Sequence, residues 1–157
     1  MVRFYTVFVR PTLEYCGVVW SPTSQSDIDM LERVQRFYTN RIPGCTFRPY
    51  SQRLSILSLQ SLQFRRTISD IVCLYALITG DYEFSLVPYL IHIPPSITRG
   101  HNLKIFPPTI NYVRSKQNFL SRTIPLWNSL PISVFSATSR YSFRKKVSKY
   151  LTDPFLI

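Results

Sequence analysis

Acidic residues are scarce in this 157-residue chain: eight, against 19 lysines and arginines. Glycine is scarcer still, at positions 17, 44, 80 and 100. Glycines this far apart exclude a phosphate-cradling loop, and no G-x-S-x-G nucleophile motif occurs. Histidine is limited to His92 and His101. Cys16, Cys45 and Cys73 are odd in number, far apart and form no C-x-x-C pair, so neither a zinc site nor a disulfide framework is expected. Three reduced cysteines packed as small apolar groups fit an intracellular protein, nuclear or cytoplasmic, and not a secreted one. No run approaches the ~20 apolar residues that span a bilayer. The opening MVRFYTVFVRP has a short apolar run ended by Arg10-Pro11 and lacks a small-residue cleavage site, so it does not read as a signal peptide. It begins in mid-pattern, as the tail of a longer polypeptide would.

What is abundant is apolar and basic. Hydrophobic residues make up 45% and aromatics 15%, enough to build a core and to argue against wholesale disorder. The net charge of +11 favours a polyanionic partner, either nucleic acid or an acidic membrane surface. The charge is uneven. Residues 1–83 carry nine basic and seven acidic side chains, net +2; residues 84–157 carry ten basic and only Asp153, net +9. The second half is therefore the expected polyanion-facing half.

Periodicity predicts a mainly α fold, a small bundle of about five to six helices. Residues 2–20 read as helix, kinked at Pro11. In SDIDMLERVQRFYTNRI, Ser26 suits an N-cap with Asp29 three residues on; Ile28, Leu31, Val34 or Gln35, Tyr38 and Ile42 form the apolar stripe. YSQRLSILSL is a short helical segment. SLQFRRTISDIVCLYALITG is the longest helix, capped by Ser61 and released by Gly80. Leu62, Ile68, Ile71, Val72, Tyr75 and Ile78 share one face, widened by Leu74 and Leu77, so burial on two sides is expected. Arg66 and Asp70 stand at i,i+4, the weaker order for an exposed pair.

Residues 81–117 are a proline-rich irregular connector, with Pro88, Pro94, Pro95, Pro107 and Pro108 forbidding long helices; LKIFPPTINYV is an irregular or edge strand. Domains accordingly fall at 1–80, 81–117 and 118–157. In NFLSRTIPLWNSLP, Leu120, Ile124 and Trp127 share one side; Pro125 kinks the helix or starts a new one. Trp127 buries its ring and needs a partner for its indole N–H, Asn128 closes the helix end, and Arg122 projects outward. SRYSFRKKVSKYL is an amphipathic helix, with Phe143, Val147, Tyr150 and Leu151 inward and Arg144, Lys145 and Lys149 outward.

Catalysis finds little support. Metal-assisted phosphoryl transfer needs converging carboxylates. The D-x-D of Asp27 and Asp29 lies at a helix N-terminus, where acids belong for electrostatic reasons. Asp81 and Glu83 follow Gly80 in a turn. No catalytic or metal-ligating residue is assigned. Cations interleaved with aromatics suit backbone neutralisation plus base stacking.

VRPTLEYCGVVWSP, LERVQRFYTNRI, YSQRLSILSLQSLQFRRTISDIVCLYALITG, TRGHNLKI, NFLSRTIPLWNSLP and FRKKVSKYL occur in this order. The series, over roughly residues 5–151, resembles the C-terminal end of reverse transcriptases of non-LTR retrotransposons, the jockey and chicken-repeat clades above all. The resemblance implies the thumb and the segment after it, a helical region that grips template–primer duplex of RNA and DNA. It also implies an upstream palm and fingers, with the catalytic Asp-Asp loop and its magnesium in the palm. No Asp-Asp pair exists in this chain, so no cofactor and no polymerase activity are expected of it alone. One departure is Ala76 after Tyr75, where the family usually has lysine. The expected packing anchors are Tyr15, Trp20, Leu31, Tyr75 and Trp127. The expected phosphate contacts are Arg33, Arg36, Arg65, Arg66, Arg99, Arg122, Arg144, Lys145 and Lys149; Arg65 and Arg66 have Asp70 or Glu32 as competing partners. The alternatives are a free-standing nucleic-acid-binding protein derived from such an element, and a structural or membrane-surface module acting through the last helix. A thumb cut from its palm exposes an apolar face, so low solubility is expected.

Overall fold

The computed structural model describes residues 1–81, 103–106 and 118–156. Among these residues the protein is α-helical and no strand forms. Five helices have seven or more residues: α4 (Gln25–Asn40), α5 (Tyr50–Ile56), α6 (Leu62–Thr79), α7 (Phe119–Ser129) and α9 (Arg140–Tyr150). The others are short: α1 (Val2–Phe4), α2 (Arg10–Glu14), α3 (Gly17–Trp20) and α8 (Ile132–Phe135). The chain forms two compact units, Met1–Thr67 with Leu151–Ile157, and Ile68–Tyr150. The division falls inside α6, not at Gly80. Most of the proline-rich stretch, including Arg99, lies outside the described residues.

In the first unit, the N-terminal helix is not a single kinked rod. A π-helical turn, Tyr5–Val9, joins α1 to α2, and Arg10 N–H reaches back to the Tyr5 carbonyl. Pro11 is the cause. It has no N–H to give and its ring crowds the preceding turn, so the helix widens by one residue just before it. A second break follows at Tyr15 and Cys16, where Cys16 takes a left-handed conformation at φ 51°. Tyr15 and Trp20 therefore do not anchor the core. They are 76% and 42% exposed, and the Trp20 indole is spent on the Tyr15 carbonyl at 2.6 Å.

α4 corrects the expected stripe. Its buried residues are Ile28, Glu32, Gln35 and Thr39, still at helical spacing but mostly polar, while Leu31 is only half-buried. The helix starts at Gln25 with Ser24 as its N-cap, and Ser24 and Ser26 pair with each other at 2.6 Å. The polar face turns inward because α6 and its approach offer bare backbone groups. Glu32 accepts from Gln63 N–H at 2.7 Å and from the Tyr50 hydroxyl at 2.6 Å. Gln35 donates to the Gln60 carbonyl and to the Tyr50 oxygen, and accepts from the Tyr5 hydroxyl at 2.6 Å. Ser61 caps α6 through Phe64 N–H at 3.0 Å, and its own N–H and hydroxyl are both taken by Asp153 at 2.7 Å. The start of α6 thus receives two carboxylates, as its dipole and free N–H groups favour. Gly80, at φ 78°, ends α6, with Asp81 N–H on the Ala76 carbonyl at 3.0 Å.

The second unit is packed by rings. Tyr75 stacks on Phe143 with centroids 4.0 Å apart, and Trp127 meets Phe135 edge-on at 4.8 Å. Ile68, Ile71, Leu74, Ile124, Trp127, Phe143 and Val147 are essentially inaccessible to water. Tyr75 donates its hydroxyl to the Ala137 carbonyl at 3.0 Å. Asn118 caps α7 through Ser121 N–H at 2.8 Å, and Pro125 sits within that helix. The Trp-Asn pair does more than close α7. Trp127 donates its indole N–H to the Leu103 carbonyl at 2.7 Å. Asn128 does not cap the helix end: it accepts from Ile105 N–H at 3.0 Å and donates to the Ile105 carbonyl at 2.8 Å. One amide side chain thus imitates a neighbouring strand, and two consecutive residues of α7 clamp the backbone of residues 103–105.

Candidate nucleic-acid interface

Among the described residues, the surface most suited to a polyanion is the outer face of α9. Ser139 starts this helix, its hydroxyl accepting from Ser142 N–H at 3.2 Å. Phe143 and Val147 are fully buried and fix which side turns inward. The opposite side carries Tyr141, Lys145 and Lys149 at i, i+4 and i+8, all exposed, with half-exposed Arg144 beside them. No acid occurs within α9. Arg140 at its start is paired with Asp81 at 3.3 Å. Among the described residues Arg33, Arg144, Lys145 and Lys149 make no ion pair, so their charge is available to a partner.

Most of the described acids are held by other groups. In the second unit Asp70 takes a two-pronged hold on Arg122, Oδ2 on Nε at 2.7 Å and Oδ1 on Nη2 at 3.3 Å. In the first, Glu14 holds Arg65 through both guanidinium nitrogens Nε and Nη2. Glu32 and Asp153 are buried on backbone N–H groups. Burial pushes the Glu32 carboxyl above its ordinary range, against its hydrogen bonds from Tyr50 and Gln63 and the nearby Arg66 charge. Burial, with the Glu32 charge next, likewise pushes the Tyr5 and Tyr50 hydroxyls up. The bond to Glu14 holds Arg65 more firmly protonated than usual.

The nine expected phosphate contacts consequently divide. Arg144, Lys145 and Lys149 come together on α9. Arg33 is exposed on α4; Arg36, on the same helix, lies 3.5 Å from Asp29 and faces the Tyr50 ring at 5.1 Å. Arg65 is tied to Glu14. Arg66 is 4% exposed, so it is buried and not a surface cation, and its charge acts on Glu32. Arg122 does not project outward: its side chain is 11% exposed and locked to Asp70. Arg99 is outside the described residues. Ala76 is fully buried, so a lysine there would have to be accommodated inside the second unit. Tyr141 escapes charge counting, although its register with Lys145 and Lys149 is plain in SRYSFRKKVSKYL.

Among the described residues no three histidine, cysteine or acidic side chains converge in a way that could hold a metal ion. No described helix is long and apolar enough to cross a membrane. All three cysteines are free thiols.

The chain is 29% identical over 85 residues to an uncharacterized protein of Caenorhabditis elegans. That similarity covers 52% of this chain and 43% of the relative, so the match spans less than half of the relative's length. No protein-family profile matches the chain. No solved structure matches it.

Proposed function

We propose that this chain is a thumb-like, non-catalytic piece of a non-LTR retrotransposon reverse transcriptase, which grips template–primer duplex while an upstream palm and fingers carry out polymerisation. The observation that carries the reading is the exposed stripe of α9, with Tyr141, Lys145 and Lys149 in register, Arg144 beside it and no acid within the helix. Cations placed a turn apart suit phosphates along a backbone, and an exposed ring suits a base or sugar at a strand end. The six ordered sequence motifs supply the family, and the helical architecture agrees with them. Arg33, with Arg36 partly neutralised, forms a secondary contact on the other unit. Arg65, Arg66 and Arg122 act as internal ties and leave the list of phosphate contacts. An intracellular location, nuclear or cytoplasmic, goes with this reading.

The test is binding of an RNA–DNA hybrid by the purified chain across a salt series. Four to six phosphate contacts give a log–log salt slope of about −4 to −5 with no preference for sequence. Binding that ignores salt, or binding to anionic vesicles but not to the hybrid, contradicts the proposal.

A further inference from the structure

Next to the α9 stripe lies an open groove of about 400 Å³, lined by Pro131, Ser133, Val134, Lys146, Lys149 and Tyr150. We infer that this groove holds a nucleotide through its phosphomonoester, with the phosphate at Lys146 and Lys149 and the base against the Tyr150 ring. The inference deepens the nucleic-acid reading, because a 5′-phosphorylated strand end presents this group, but it rests on the groove's own chemistry.

Four features point to this ligand class. Lys146 is already held in place, donating to Ser136 Oγ at 2.7 Å and to the Ser133 carbonyl at 3.4 Å. An ammonium has three hydrogens, so one is left for a ligand, and a cation fixed in advance loses less freedom on binding. Lys149 supplies a second positive charge a turn away, and no carboxylate lines the groove. The floor is apolar, with Val134 buried and Pro131 beside it, while Tyr150 is half exposed and offers a ring face. The volume is within the range of small-molecule sites, about 300–1,000 Å³. Two cations together with an apolar lining and an exposed ring match a phosphate joined to a planar ring; inorganic phosphate alone would leave the apolar lining uncovered.

The experiment is a titration of the full chain with AMP, adenosine and inorganic phosphate, followed by amide NMR shifts and calorimetry. AMP is expected to move amides within residues 131–150, and to bind at least about fivefold more tightly than adenosine or phosphate, the scale of one charge-assisted or stacking contact. Lys146→Gln weakens AMP by about fivefold and Lys146→Arg restores it, while Tyr150→Leu removes the advantage of AMP over phosphate. Equal binding of adenosine and AMP, or AMP binding unaffected by Lys146→Gln, overturns the inference. A parallel arm compares 5′-phosphorylated with 5′-hydroxyl hybrid duplex. Hybrid binding that is indifferent to the 5′ phosphate, with no AMP binding, refutes the groove and leaves the duplex-gripping role standing. AMP binding with no hybrid binding supports the groove and refutes the gripping role.

Discussion

The two units mix polar and apolar interiors differently: the first buries Leu54, Leu59, Leu62 and Phe64 beside Glu32, Gln35, Thr39 and Ser61, whereas the buried residues of the second are mostly apolar. The first is tied by hydrogen bonds: Tyr5, Glu32, Gln35 and Tyr50 form one connected set, and Ser61 with Asp153 another. The second is packed by rings and aliphatic chains, with Asp70–Arg122 the more buried of its ion pairs among the described residues. Buried polar sets are strong when every member is paired and costly when one is lost. Apolar packing is directionless and fails by volume. The difference teaches that the first unit is specified by partner identity and is sensitive to pH, whereas the second is specified by shape.

The sharpest way to break this contrast is at Trp127. Trp127→Ala removes the largest buried ring and the indole bond to Leu103, and is expected to destabilise the second unit by about 3–5 kcal/mol in denaturant unfolding. A loss below about 1 kcal/mol would mean that the rings do not carry that unit.

Removing one partner of the buried ion pair comes next. Asp70→Ala removes the buried carboxylate that holds Arg122 and should cost about 3 kcal/mol, whereas replacing both residues by apolar ones should recover much of that. A double-mutant cycle measures it; additive single effects would show that the pair is not coupled.

A smaller effect distinguishes the first unit by pH. Burial raises the Glu32 carboxyl in the folded state above its ordinary 4.5. The folded chain therefore binds more protons here than the unfolded chain, and stability falls as pH rises from 4.5 through the raised value. The contribution is fully present below 4.5 and lost above the folded value. Glu32→Gln should flatten this part of the stability–pH curve while costing about 1–2 kcal/mol through the disturbed Tyr50 bond. An unchanged curve would show that Glu32 is not the group responsible.

The smallest expected effect concerns solubility. Phe4, Val7, Phe8, Val19 and Trp20 are all exposed in the first unit, so Phe8→Lys should raise solubility with little change in unfolding midpoint. A midpoint lowered by several degrees would place Phe8 in the core instead.

The second unit is the more legible from sequence. Tyr75, Trp127, Phe143 and Val147 announce their burial by size and spacing, and Ser61 and Gly80 mark the ends of α6 by chemistry any helix shares. The first unit is less legible because its inward face is polar. Glu32, Gln35 and Thr39 follow the correct spacing but carry the wrong residue types for a rule that looks for apolar stripes. Their partners, Gln60 and Gln63 backbone and Tyr50, are distant in sequence, so no local pattern reveals them. The same holds for the arginines. Nothing in the run around Arg65, or around Arg122, says that Glu14 and Asp70 wait for them 51 and 52 residues away. Charge counting treats all cations as free, and only the fold separates those that tie the interior from those left on α9.

The central claim, that the α9 stripe meets a polyanion, is tested most directly by the salt dependence of 5′-hydroxyl RNA–DNA hybrid binding in the Lys145→Glu/Lys149→Glu chain. Loss of two phosphate contacts should make the log–log slope shallower by about 1.8 and weaken binding for every sequence alike. An unchanged slope and affinity in a variant that still folds would contradict it.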